Sequence, residues 1–221
     1  MEKEQLNLMR KEYASFLNAE LGVDKSMIKE SLLNYITDKV DYENKVCLDL
    51  GSNLGAFCKI AIDNGAKKVV AVECDTRNYE KVNYNFREID NVEVIHAAVS
   101  ESTEETLQIF KSSAKSNHSS TSIIKRTNRF KQYEVVDNVN FTEIVNRVKP
   151  DIIKIDIEGA EHNLIDDIIA ASPDVLFLEL HGGYEKCQEH LDKLEQAYPN
   201  SEVNEIIMFM KVGGFDCLYY K

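Results

Sequence analysis

Carboxylates collect at the ends of apolar runs in this chain, where they can bind hydroxyls, hold cations or move a proton. One run, V-C-L-D-L-G-S-N-L-G from Val46 to Gly55, carries Asp49 into a turn with Gly51 and Gly55. A second, K-K-V-V-A-V-E from Lys67 to Glu73, ends in an acid 24 residues after Asp49. A third, D-I-I-K-I-D-I-E-G-A-E, runs from Asp151 to Glu161 and gathers Asp156, Glu158 and Glu161 around Lys154. A fourth, V-L-F-L-E-L-H-G-G, opens into Glu179, His181 and two glycines.

The first two runs read as a nucleotide-type cofactor site. Glycine at Gly51 lets the backbone pass close to a ligand. An acid about 20 residues on meets ribose hydroxyls in such sites. Dinucleotide sites use G-x-G-x-x-G and seat a pyrophosphate on a helix N-terminus. Here the turn is G-S-N-L-G with Asp49 before it, and an acid there repels phosphate. It suits a phosphate-free cofactor with an ammonium, a sulfonium and a ribose diol, which describes S-adenosylmethionine. A plain structural turn would also use these glycines; Glu73 at its distance argues for the cofactor. His96 ends another run, and Ala97 and Ala98 after it are small enough for an adenine ring to lie flat.

The third and fourth runs read as the reaction side. Ligands of doubly wound sheets sit beyond the carboxyl ends of the strands, near the switch in strand order. If 46–50 is central and 151–156 its neighbour, Asp156 and Glu158 stand beside the transferable methyl group. Helix capping alone could explain Glu158 or Glu161. It explains less well three acids clustered with a lysine. His181 has either a structural or an acceptor-side role. Should the methyl acceptor be an alcohol, a base is needed, and Asp156 or His181 is expected to take the proton while Glu158 orients the acceptor. The rival is a divalent ion held by Asp156, Glu158 and Glu179 or His181.

These elements imply an α/β protein. Strand patterns at 46–50, 68–73, 92–97, 151–156, 175–180, 203–210 and 214–220 alternate with helix patterns at 54–64, 77–88, 140–148, 160–170 and 184–197. That alternation predicts a Rossmann-like, doubly wound, seven-stranded and mostly parallel sheet. Val212, Gly213 and Gly214 suggest a tight turn, so the last strand should run antiparallel. Residues 1–44 predict a helical extension, with Leu6, Met9, Tyr13, Phe16 and Leu17 on one face and Ile28, Leu32, Leu33 and Ile36 on another. Residues 45–221 form the catalytic domain in this reading.

The chain has 221 residues and a formal net charge of −12. That balance disfavours a general nucleic-acid binder. A local basic stretch at 111–131, with Lys111, Lys115, Lys125, Arg126, Arg129 and Lys131, is rich in serine. It reads as a solvated loop, or as a lid that meets an anionic acceptor. No apolar run approaches a membrane span, and the five cysteines form no C-x-x-C pair, which together suggest a reduced cytoplasmic setting.

Taken together, V-C-L-D-L-G-S-N-L-G, V-V-A-V-E, A-A-V-S at Ala97 to Ser100, K-I-D-I-E-G-A-E and L-E-L-H resemble the FkbM-type methyltransferases. The resemblance spans residues 45 to 182, and K-I-D-I-E-G-A-E is its most specific piece. The family usually has Ala where Ser52 stands and Pro where Cys74 stands. The resemblance implies methyl transfer from S-adenosylmethionine to an oxygen, often on sugars or other small metabolites. Carried over, Asp49, Gly51, Asn53, Gly55 and Glu73 would hold the cofactor, while Asp156 and Glu158 would face the reaction centre. Two other readings remain at this stage: an RNA or base methyltransferase, and a catalytically silent cofactor-binding protein.

Overall fold

The protein is described from a computed structural model covering residues 3–18, 23–112, 121–123, 130–208 and 211–221. Two helices come first, α1 (Lys3–Phe16) and α2 (Val23–Tyr35). The alternating part follows with β1 (Val46–Leu50), α3 (Ala56–Asp63), β2 (Lys68–Glu73), α4 (Thr76–Phe86) and β3 (Val92–His96). Four strands, β4 (Ala98–Ser100), β5 (Thr106–Ser112), β6 (Thr121–Ser122) and β7 (Phe130–Asn140), lead into α5 (Phe141–Val148). Then come β8 (Ile152–Ile155), a 3-10 turn at Ala160–Asn163, α6 (Ile165–Ala171), β9 (Val175–His181), α7 (Tyr184–Ala197), β10 (Asn200–Met208) and β11 (Lys211–Tyr220).

The main sheet has seven strands in the order β10-β11-β9-β8-β1-β2-β3. β1 pairs in parallel with both β2 and β8, with Asp49 opposite Ala71 on one side and Lys154 on the other. The chain builds outward from β1 to β3 and then returns to lay β8 on the other side of β1. That reversal leaves a crevice beyond the ends of β1 and β8. The central strands read as unbroken apolar runs because helices cover both faces. Leu48, Leu50, Ile153 and Ile155 enter one core with α5, α6 and α7, while Cys47 and Ile152 enter the other. Tyr13, Leu17, Ile28 and Leu32 from the first two helices share that second core with Phe57 and Phe177.

β11 runs antiparallel to β9 and β10, as expected from the sequence. The turn lies elsewhere than expected, however. Met208 already pairs with Lys211, so Gly213 and Gly214 lie inside the strand. Gly214 is required there because an added Cβ would stand 2.7 Å from the Leu180 carbonyl oxygen.

The stretch at 111–131 was expected to be a loop; its described residues belong largely to a second sheet, in the order β4-β7-β5-β6. Its small core is Ala98, Ile109 and Val136. Lys111 is correspondingly no solvated cation: it is buried and pairs with Asp75 and Glu134. Lys115, Lys125, Arg126 and Arg129 lie outside the described residues. No helix among the described residues is long and apolar enough to cross a membrane.

The buried setting of Lys111 is testable. Lys111→Met is expected to lower unfolding stability by about 1–3 kcal/mol in urea titrations, because Asp75 is left in the interior with fewer positive partners. A solvated lysine would give a change near zero.

Candidate functional site

The site starts at the turn after β1. Gly51 and Asn53 both adopt left-handed backbone, with φ of +79° and +52°. A Cβ on Gly51 would sit 1.8 Å from the Asp156 carbonyl oxygen. The glycine is therefore demanded first by the neighbouring strand end. Gly55 serves the helix instead: it caps α3 at φ +85°, and a Cβ there would meet Phe86 at 2.5 Å.

Lys154 supports this turn from below. Its ammonium donates to the Gly51 carbonyl at 2.6 Å and lies 3.3 Å from Asp49 Oδ1 and 3.9 Å from Asp156 Oδ2. Asp49 is fully buried and also accepts from the Cys58 thiol at 3.1 Å. It lies beneath the turn and does not line the cleft above it.

That cleft is bounded by Gly51, Asn53, Glu73, Ala97, Ala98 and Asp156, with Asn78 and the β6 residues Thr121 and Ser122 on the remaining wall. Glu73 accepts from the backbone N–H of Asn53 at 2.7 Å and of Asp75 at 2.8 Å. Burial nevertheless outweighs these donors and raises its pKa to about 7. Ser122 donates to the Glu158 carbonyl at 2.7 Å, and Thr121 donates to Asp75 at 3.1 Å, so the second sheet is tied to both rims.

The acids of the third run divide by role. Glu161 is fully buried and accepts from the backbone N–H of Gly159 at 2.6 Å and of His181 at 2.8 Å. It also holds His181 Nδ1 at 3.0 Å. The far nitrogen, Nε2, lies 3.0 Å from Glu179 and 3.4 Å from Glu158. Burial alone would lower the His181 pKa, but Glu161 and Glu179 raise it to about 11. An imidazole held protonated is a hydrogen-bond donor, not a base. Asp156 is pushed the other way for a carboxyl: burial first, then the charge of Glu179, raise it well above the ordinary value.

The fold therefore brings Gly51, Asn53, Glu73, Ala97, Ala98, Asp156 and Glu158 to one cleft. His181 and Glu179 stand behind Glu158, and Asp49 and Gly55 shape the turn from outside. Thr121 and Ser122 were not among the expected site residues, and Lys154 and Glu161 were noted in the third run without an assigned role. Lys154 had a signal, since a lysine inside an apolar strand must find carboxylates.

Comparison with known proteins places this architecture. The methyltransferase FkbM domain family profile matches residues 49–217. The chain belongs to that family. This FkbM-domain protein is an S-adenosylmethionine-dependent methyltransferase. Its fold is similar to that of a precorrin-6y C5,15-methyltransferase from Geobacter metallireducens, with TM-score 0.50, 14% identity and 92% of each chain covered. A putative RNA methyltransferase from Pyrococcus horikoshii aligns with TM-score 0.51 and 16% identity over 96% of this chain and 97% of that one. TYW2 from M. jannaschii, crystallised with AdoMet, aligns with TM-score 0.50 and 15% identity over 91% of this chain and 77% of that one.

Glu73 gives a pH signature. Its folded-state pKa of about 7 lies above the ordinary 4.5. The folded chain thus holds this proton more tightly, so the contribution favours folding below pH 4.5 and is withdrawn as pH rises through about 7. Relative to Glu73→Gln, the wild type is expected to lose on the order of 2–3 kcal/mol between those limits, read from urea midpoints across pH. Parallel pH profiles for the two proteins would contradict the assignment.

Proposed function

We propose that this methyltransferase acts on a hydroxyl oxygen of a small polar acceptor, such as a sugar. The reading rests chiefly on Asp156, a carboxyl of raised pKa that lines both the cleft and a small hollow beyond it.

The lining of the cleft fits a phosphate-free nucleoside. Glu73 offers carboxylate lone pairs at one end, Ala97, Ala98 and Val99 give an apolar wall, and no Lys or Arg is among the described lining residues. In this reading Gly51, Asn53, Glu73, Ala97 and Ala98 hold the cofactor directly. Asp49 and Gly55 keep the turn in shape. When bound, S-adenosylmethionine supplies a methyl group on a sulfonium that leaves as a neutral thioether.

The residues then have one proton to manage. Asp156, in its carboxylate form, takes it from the acceptor hydroxyl as the new C–O bond forms. Glu158 accepts a hydrogen bond from the acceptor and is itself steadied by the His181 imidazolium. Glu161 fixes that imidazolium and acts only through it. Alignment of acceptor and methyl contributes several kcal/mol in such reactions.

A second reading has its own observation. Ligand atoms of Asp156, Glu179 and His181 lie within 4.8 Å of one another, a spacing that could gather a divalent ion. His181 would have to give up its proton to ligate, and the ion would then acidify the hydroxyl. Base methylation finds less support, because the Asp156–Gly159 turn carries two acids.

Asp156→Asn is expected to reduce turnover by about 10²–10⁴-fold while S-adenosylhomocysteine still binds in calorimetry. Near-normal turnover would remove the carboxylate from the mechanism. Full activity after dialysis against EDTA separates the direct base from the divalent ion and favours the base.

A further inference from the structure

Helix α2 precedes the family match, which begins at residue 49, yet it roofs the way to Asp156. A cavity of about 420 Å³ opens between Leu33 and Asn34 on α2, Glu179 on β9 and Asp216 on β11. It adjoins a smaller hollow beside the glycine turn, and the two share Tyr35 and Lys154 as walls. Ser52 lines the hollow. It is 4% exposed, and its hydroxyl has no hydrogen-bond partner among the described residues. A buried hydroxyl without a partner at a cavity wall marks a place where a polar ligand atom would be stabilised.

The walls of the larger cavity are short of positive charge. Lys154 is engaged by the Gly51 carbonyl, Asp49 and Asp156. The imidazolium of His181 serves Glu158, Glu161 and Glu179 together. Glu202, also on the wall, is paired with Lys39. Asp216 has the Asn34 amide at 3.5 Å and no cation within ion-pair distance among the described residues. Burial, then the charges of Glu179 and Glu30, raise Asp216 to about 7. Glu30 on α2 is exposed and lies outside the lining, and its charge adds to the negative field at Asp216. Asp216 and Glu179 repel each other across the cavity they both line, and a bound cation would relieve them.

We propose that this cavity receives an acceptor carrying a protonated amine beside its hydroxyl, an amino sugar or similar hydroxylated amine, with Asp216 and Glu179 on the wall that faces the ammonium. The inference rests on the O-methyl transfer reading and adds the charge of the acceptor. It replaces the anionic acceptor suggested by the basic 111–131 stretch, since an anion here would meet Glu179 and Asp216. It also gives α2 a role in choosing the substrate.

The test uses the full chain loaded with S-adenosylhomocysteine. Ethanolamine, serinol, glucosamine and tyramine are each compared with their N-acetylated forms by saturation-transfer NMR, with glucuronate as the anionic probe. At least one amine is expected to bind, with acetylation weakening it about tenfold and Asp216→Asn combined with Glu179→Gln removing that preference. Equal binding of amine and amide, stronger binding of glucuronate, a preference unchanged in the double variant, or no amine bound at all would each overturn the proposal. Methyl transfer to neutral or acidic hydroxyl compounds would overturn it while leaving the methyltransferase reading intact. Failure of the wild type to bind S-adenosylhomocysteine would instead strike the cofactor site itself.

Discussion

The buried ammonium of Lys154 is the constraint on which the site depends. It stands opposite Asp49 in the β1–β8 register and joins Asp49, the Gly51 carbonyl and Asp156. A charge in the interior is tolerated only when it is paired and hydrogen-bonded. Here its partners belong to two different strand ends. Satisfying one lysine therefore fixes the glycine turn after β1 and the acid after β8 in the same place. The close approach of Gly51 to the Asp156 carbonyl follows from that junction.

A second buried knot, Glu161 with His181, does the same for β8 and β9. Its carboxylate collects the Gly159 and His181 amides and the His181 ring. Glu158 is held between these points in left-handed backbone at φ +58°, and Asn53 across the cleft is left-handed as well. Such conformations in residues other than glycine persist where the surroundings over-determine them, and they gather at functional sites. The result is a cleft with several carboxylates and no Lys or Arg among its described lining residues. Burial keeps Glu73, Asp156 and Asp216 above their ordinary pKa values. A positively charged cofactor and acceptor would find there a field already arranged for them.

Elements outside the main sheet finish the site. The first two helices are built into the core beside Phe57 and Phe177, so α2 is held firmly over the cavity below it. The small sheet is anchored through Lys111, Asp75 and Glu134 and lays Thr121 and Ser122 along the cofactor side of the cleft.

The main sheet was legible because each of its strands is a run of apolar residues ended by a polar break, and such runs have few other solutions. The glycine turn, Glu73 and the acids after β8 were legible because charge at the end of a buried strand needs a reason. The small sheet was hidden: among the described residues its buried core is Ala98, Ile109 and Val136, scattered among Ser, Lys and Thr, so periodicity gave no signal. The glycines near 213 were read as a turn when they serve a close strand crossing. Sequence alone determined where carboxylates and glycines end the buried strands. Tertiary structure alone decided that His181 is ringed by Glu158, Glu161 and Glu179, that Asp156 lines the cleft, and that Asp49 lies beneath the turn. Protonation and reach depend on which carboxylates lie within a few ångströms and on how much water remains between them. Residues distant in sequence set both.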